Sequence, residues 1–450
     1  MIPNYREDWV FRLTYNFAQK YFLEYNGAYN GSEKFSKDNR FAFFNSAALG
    51  WMVTEEKFMK NLKWLDMLKL RASYGEIGDD NVPSRWLYMD QWAFMDEKST
   101  SLDVSHGTSP YYWYREASVG NPDVHWETVT KWNYGADYSL FHGLLIGSVD
   151  IFRDHRTNIL VGGSDRASYY GQAPATANLG EVKTKGFEIT LRINKVLANK
   201  MRLWADLNMT HAENKIIIKD DQPLLPAYRK QAGFAIGQNR AYLDGGYLRS
   251  YDDIYGSPKF DTNNDQKLPG DYYIVDFNGD GVVDVNDQVP YGYAESPQNT
   301  YNATLGFDWK GFSCFVQFYG VSNVTRDVTL TDFGGQLNTV YDQGQWWSKY
   351  ADGDVPPSRW LSTPATYSRG TRYLYDGSYI RLKNVELAYN FTEKWVKNLG
   401  VDNLRLYINA NNLWVWSRMP DDRESNFAGW GSQGAYPTVK RINFGIRVGF

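Results

Sequence analysis

The residues best spaced to do chemistry are Asp276, Asn278, Asp280, Asp284 and Asp287, with Gly281 among them. They fall at positions 1, 3, 5, 9 and 12 of a Ca²⁺-binding loop, the glycine at position 6 and the Val282 carbonyl at position 7. Such spacing wraps oxygens around a hard cation, while the glycine permits the sharp turn. Asp at the last position reaches less far than the usual Glu, so the expected affinity is low. The same residues also spell an Asn-Gly-Asp-Gly turn held by side-chain to backbone hydrogen bonds. Both readings stay open.

Enzyme chemistry finds less support. The sequence has no nucleophile elbow, phosphate-binding loop or zinc-type His pair, and its five histidines (His106, His125, His142, His155, His211) are scattered. Asp421, Asp422 and Glu424 sit too close in sequence to face each other across a glycosidic bond. Cys314 is the single cysteine, which excludes an intramolecular disulfide framework, and it shares parity with Phe312, Val316 and Phe318. A net charge of −4 gives no basis for nucleic-acid binding.

The elements that must position any site are strands. Aromatic residues make up 17% of the chain, with 34 Tyr and 17 Trp, yet no apolar run approaches the ~18 residues of a membrane helix. That combination suits a barrel with Tyr and Trp at two water interfaces and polar side chains lining its inside. Period-two alternation recurs along the whole chain. Phe11, Leu13, Tyr15 and Phe17 share one face, followed by Tyr21, Leu23, Tyr25 and Tyr29. Phe187 to Ile193 returns through Asn199-Lys200 as Met201 to Met209, and Tyr301 to Trp309 turns at Lys310-Gly311 into Phe312 to Phe318. The end is the clearest case: Ile442, Phe444, Ile446, Val448 and Phe450 alternate with Asn443, Gly445, Arg447 and Gly449, within a terminal strand placed at 440–450.

Connections alternate between tight turns and long stretches rich in Gly, Asp, Pro and aromatics, among them a loop at 245–300 that carries the Ca²⁺-like motif. Short turns on one side and long loops on the other is the outer-membrane pattern. The expected fold is therefore all-β, an antiparallel transmembrane barrel contributing about 13 to 15 strands. Only Glu55 to Leu65 and Thr392 to Leu399 read as helical. Aromatics in long connections, Tyr112, Trp113, Trp346, Trp347 and Trp430, are candidates for stacking on a ligand or gripping a partner, or for packing within the loops. Arg192, Asp206, Arg405, Asn409 and Arg447 fall on the polar parity and are expected to face the lumen. The terminal Ile442, Phe444, Ile446, Val448 and Phe450 are expected to meet outer-membrane lipid and the assembly machinery.

Several runs, in this order, resemble the C-terminal part of SusC/RagA-type TonB-dependent outer-membrane transporters of Gram-negative bacteria. They are LKLRASYGEIG (68–78), the segment 126–160 with NYGADYSL and DIFRDHRTNIL, NLGEVKTKGFEITL (178–191), DFNGDGVVDVND (276–287), SYIRLKNVELAY (378–389), LRLYINANNL (404–413) and the closing 436–450. The resemblance implies a plugged barrel of the 22-stranded kind. It also implies a SusD-like surface lipoprotein as partner, an oligosaccharide or oligopeptide as cargo, and energy from the TonB complex through an N-terminal part. Met1 to Trp9 shows no charged and then apolar leader. The expectation is thus that the plug, signal peptide and first barrel strands are absent from this sequence. A soluble all-β carbohydrate-binding module, or an extracellular carbohydrate-active enzyme, would be the alternatives.

Overall fold

The computed structural model describes residues 5–95, 113–162, 171, 174–327, 347–350, 370–391, 394–398, 400–419 and 438–450. Its main element is one antiparallel sheet of 13 strands, each paired with its neighbours in chain order. We number these β1 (Arg6–Phe17), β2 (Tyr21–Ser32), β3 (Phe41–Met52), β4 (Leu65–Asp79), β5 (Glu127–Leu140), β6 (Leu145–Val161) and β7 (Ala177–Val196). The series continues as β8 (Arg202–Ile218), β9 (Asn299–Trp309), β10 (Phe312–Ser322), β11 (Tyr379–Phe391), β12 (Asn403–Ser417) and β13 (Arg441–Gly449). The sheet is open, with β1 and β13 as its edges.

Connections alternate strictly. Tight turns join β1 to β2, β5 to β6, β7 to β8 and β9 to β10, whereas the long connections after β4, β8 and β10 leave from the other end. The Lys310-Gly311 turn has both φ angles positive, 47° and 89°, the form whose twist matches the flanking strands.

Register carries one parity across the whole sheet. Arg12 and Asn26, Arg71 and Gly135, Asp150 and Glu188, Arg192 and Asp206, Thr304 and Gln317, and Glu386 and Asn409 are cross-strand partners on the polar face. Where a strand would drift out of phase, a bulge restores it, as between Gln317 and Phe318 and between Leu382 and Asn384, opposite Asn412 at φ 56°. The other face is apolar and open: Leu13 is 60% exposed, Leu49 59%, Ile151 59% and Phe444 80%. A surface this broad and this apolar is a lipid contact, since soluble proteins keep such patches small. Aromatic pairs rim it at both ends, with Phe312–Tyr389 and Trp64–Phe141 toward the tight turns and Tyr29–Phe41 and Tyr74–Trp132 toward the long connections. From Trp51 to Phe41 along β3 is about 33 Å at ~3.3 Å per residue. At a tilt of ~40° that rises about 25 Å, the height of an outer-membrane apolar band.

Aromatic rings lie over cross-strand glycines. A Cβ at Gly306 would stand 2.4 Å from Trp204, its register partner, and one at Gly445 would stand 2.1 Å from Tyr407, likewise its partner. Phe11 with Gly27 and Phe152 with Gly186 repeat the arrangement.

Two expectations need correction. Glu55 to Leu65 is not an α-helix: a 3₁₀ turn at Val53–Glu55 runs into successive i→i+3 bonds, Met59 N–H to Glu56 O and Leu62 N–H to Met59 O. A short segment cannot offset helix nucleation without an apolar face to bury, and here Phe58 and Trp64 stay exposed. The stretch 245–300 is not an open loop either. With 219–244 and the segment 370–376 it forms a folded insert of short strands whose core is Tyr242, Phe260, Tyr272, Ile274, Val283 and Tyr373. The expected Thr392 to Leu399 helix is present as Lys394–Asn398. The buried clusters, including Phe35, Phe44, Val124 and Trp126, gather where long connections fold onto the sheet.

Parity makes a direct prediction. Leu207→Arg, on the apolar face of β8, should destabilise the protein assembled in lipid vesicles by ~2–4 kcal/mol, the cost of a lipid-facing cation near the midplane. Asn208→Ala, one residue on, should cost ~1 kcal/mol or less. Equal costs in denaturant titrations would contradict the assigned faces.

Candidate functional site

The polar face is a web of paired groups. Arg192 Nε donates to Asp206 Oδ1 at 2.6 Å and Arg405 to Glu386 at 2.5 Å, while Asn443 donates to Asn409 at 2.8 Å. Arg447 stands opposite Arg405 in register. All five residues expected to face the lumen thus lie on one face, as period-two strands joined by continuous pairing require. Arg71 adds a bidentate pair with Asp137, both bonds 2.9 Å, and reaches Asp150 at 3.0 Å. Gln317 donates to Asn302 and accepts from Asn384. Toward the tight-turn end a cavity of about 590 Å³ is bounded by Arg192, Arg202, Asp206, Asp308, Glu386 and Arg405. It offers both charge signs to a polar ligand.

At the long-connection end the same face changes character. A cavity of about 500 Å³ is lined by Val129, Val161, Val182, Ile216 and Ile236, with Asp154 and Arg156 beside them. Segment 231–237 closes over it: Gly233 N–H bonds to Ile216 O and Ile236 N–H to Asn214 Oδ1. Sequence alternation does not reveal it, because valines and isoleucines on the polar parity look like interruptions of the pattern.

In the insert, Arg372 holds the core together. Its guanidinium lies 4.4 Å from the Tyr247 ring centre and 4.3 Å from that of Tyr272, pairs with Asp244, and donates to the Tyr247 hydroxyl at 2.5 Å. Burial opposes its charge, but Asp244 outweighs that and holds its pKa above the ordinary value. No local pattern could have signalled this pair, since its members are 128 residues apart. Lys267 is 6% exposed, its Nζ donating to Ser257 Oγ at 3.0 Å and Pro258 O at 2.5 Å and lying 4.1 Å from the Phe260 ring centre. Burial pulls its pKa down to about 8, with Asp271 opposing.

The Ca²⁺-like stretch is a turn whose oxygens serve the backbone. Asp276 accepts from Gly279 N–H and Gly281 N–H, both at 2.7 Å, and Asp280 accepts from Val282 N–H at 2.9 Å. Asp284 accepts from Asn286 N–H at 2.7 Å, and Asp287, fully buried, accepts from Phe277, Asn278 and Asp284 N–H. Gly281 has φ 89°, as position 6 of a cation loop requires. Among the described residues no three His, Cys, Asp or Glu side chains converge as a metal cluster.

Of the loop aromatics, Trp347 packs 6.5 Å from Tyr247 at the edge of the insert, and Trp113 begins a two-stranded ribbon with Gln91–Met95. Tyr112, Trp346 and Trp430 lie outside the described residues. Ile442, Phe444, Ile446 and Val448 all point to the apolar face of β13, and Phe450 follows it, 90% exposed.

Lys267 gives the insert a pH dependence. Its folded pKa, about 8, lies below the ordinary 10.5, so between those values the unfolded state binds more protons and stability rises with pH. Rate-corrected hydrogen exchange of the Tyr272–Ile274 amides should show protection growing across that window, and Lys267→Met should flatten the slope. An unaltered slope in the variant would remove Lys267 as its source.

Comparison with known proteins agrees with this geometry. The family model for the TonB dependent receptor-like β-barrel matches residues 6–413. TonB-dependent receptor P3 of Formosa agariphila is 27% identical over 98% of this chain and 45% of its own length. The TonB-dependent receptor SusC of Bacteroides thetaiotaomicron is 25% identical over 90% of this chain and 40% of its own. Among solved structures, the RagAB peptide transporter superposes with a TM-score of 0.75 at 19% identity, covering 98% of this chain and 47% of that one. The chain therefore spans less than half the length of these proteins, and the structural likeness speaks to fold. With its alternating faces, asymmetric connections and lipid-exposed surface, the chain belongs to the TonB-dependent receptor-like β-barrel family of the outer membrane, as a portion of a barrel similar to that of SusC.

Proposed function

We propose that this chain forms part of the wall of an outer-membrane importer, its polar face lining the route of an oligomeric nutrient. The observation that carries the reading is the polar parity that register and bulges together keep on one face across 13 strands, from Arg12 to Arg447. In this reading a SusD-like surface lipoprotein delivers cargo at that end, and the TonB complex drives transport through parts of the receptor other than these strands. Such a route works by binding and release and needs no catalytic group. The aliphatic cavity at the mouth fits a non-polar side chain better than a sugar ring, which favours an oligopeptide over a glycan as cargo.

The test is uptake by cells carrying the whole receptor. Arg192→Ala with Arg405→Ala should leave surface abundance unchanged and lower uptake roughly tenfold, equivalent to ~1.4 kcal/mol of lost binding. Ile216→Asp should lower oligopeptide uptake more than oligosaccharide uptake. Uptake unchanged in the double variant would overturn the route.

The Asp276–Asp287 turn is the second part of the proposal, as a weak Ca²⁺ site in which Asp276, Asn278, Asp280, Asp284, Asp287 and the Val282 carbonyl hold the ion. Its oxygen inventory and the φ of Gly281 fit a hard cation, and dissociation constants of about 10⁻⁴–10⁻³ M are typical of extracellular modules. Ca²⁺ in the millimolar range should raise the unfolding temperature of the whole receptor, and Asp276→Ala with Asp280→Ala should abolish the rise. No response to Ca²⁺ would leave the turn held by its hydrogen bonds alone.

A further inference from the structure

On the outward face of β5–β8, level with the aromatic rim at Trp132 and one row beyond it, the ladder sets two rows of charge side by side. Arg153 pairs in register with Lys185, and Lys185 with Glu213. In the next row His155 pairs with Lys183, and Lys183 with Lys215. One residue pair nearer the band stand Ile151 and Phe187, so the change from apolar to cationic occurs within one step along the strands.

These cations are only partly balanced. Lys185 pairs with Glu213 at 2.6 Å, while Lys183 at 3.1 Å and His155 at 2.7 Å share the single carboxylate of Glu181. Arg153 and Lys215 are exposed and make no ion pair among the described residues. Lys183 directly opposite Lys215 is an unfavourable like-charge pair unless an anion lies between them. Adjacent strands are about 4.8 Å apart and alternate residues about 7 Å apart, so the cationic groups surround a space of roughly one phosphate group and its neighbours.

The position selects the occupant. The patch faces away from the polar route and sits at the long-connection rim of the lipid-facing band, the level at which outer-leaflet headgroups meet the wall. Clustered Lys and Arg at a membrane surface recognise anionic lipid. We propose that Arg153, Lys183, Lys185 and Lys215 form a binding site for the phosphate of an outer-leaflet lipid headgroup. The site depends on the outer-membrane placement and not on the import reading, and its readouts do not involve uptake.

The experiment uses the whole receptor purified in detergent, stripped of lipid and then offered lipid A, dephosphorylated lipid A or phosphatidylglycerol. Native mass spectrometry and thermal unfolding are read together. Both phosphorylated lipids should be retained and should raise the unfolding temperature, with dephosphorylated lipid A retained at least ~tenfold less, and added salt should weaken retention. Preference for lipid A over phosphatidylglycerol would assign the phosphate to the glycolipid, and the reverse to a phosphoglycerolipid. Arg153→Ser with Lys215→Ser should remove the effect, Lys215→Gln alone should reduce it, and Lys310→Ser at the opposite rim should leave it unchanged. Equal retention of dephosphorylated lipid, undiminished retention in the patch variants, or a change only in the number of receptor copies per complex would overturn the site. If the double variant does not assemble, salt-insensitive retention by the unaltered receptor would do the same.

Discussion

The structure depends on one constraint: in hydrocarbon, every backbone N–H and C=O must find a partner within the protein. An antiparallel ladder meets it strand by strand, and in the 13-stranded sheet the outer edges of β1 and β13 are left without a neighbouring strand. Those edges confine this sheet, within a membrane, to being one portion of a closed wall. The same ladder forces alternate side chains to opposite faces. Once Arg12 is assigned to water, the register leaves no freedom in the placement of Arg192, Asp206, Arg405 or Arg447.

Continuity of pairing also explains where the interior is. No central hydrophobic core exists among the described residues, because the apolar face is turned to lipid and the opposite face is polar. Buried clusters arise only where the long connections fold back, as in the insert around Tyr272 and Tyr373 and in the group around Trp126. There a low dielectric makes charges expensive, so Arg372 comes with Asp244 and two tyrosine rings, while Lys267, supplied only with neutral acceptors, loses basicity.

What the sequence made legible was whatever follows from period two. Alternation in 301–318 and 442–450 predicted β9, β10 and β13 and the faces of their residues, and Lys310-Gly311 announced its turn through the glycine, which takes φ above zero at no steric cost. Periodicity was a poor guide where tertiary contacts decide. Glu55 to Leu65 carries helix-forming residues but has nothing to pack against, and the insert is built from pairs such as Tyr242 with Gly370 that lie far apart in the chain. The Asp276–Asp287 motif was legible as a turn, and the structure shows how fully its oxygens are occupied by N–H groups. The aliphatic cavity was hidden because Val129, Val161, Val182 and Ile216 interrupt the expected alternation and segment 231–237 joins them only in the fold.

The rings seated on glycines across the ladder bear on how such a wall is built. A sheet of similar, alternating strands has few features that tell the correct register from one shifted by two residues, since faces are preserved in such a slip. Trp204 over Gly306 and Tyr407 over Gly445 supply one. Shifted by two, each ring would meet a residue with a Cβ, and the strands could close only by tilting the ring out of the way. Strand pairs that carry such a ring therefore hold a check of alignment that is local to the pair and does not depend on the rest of the wall.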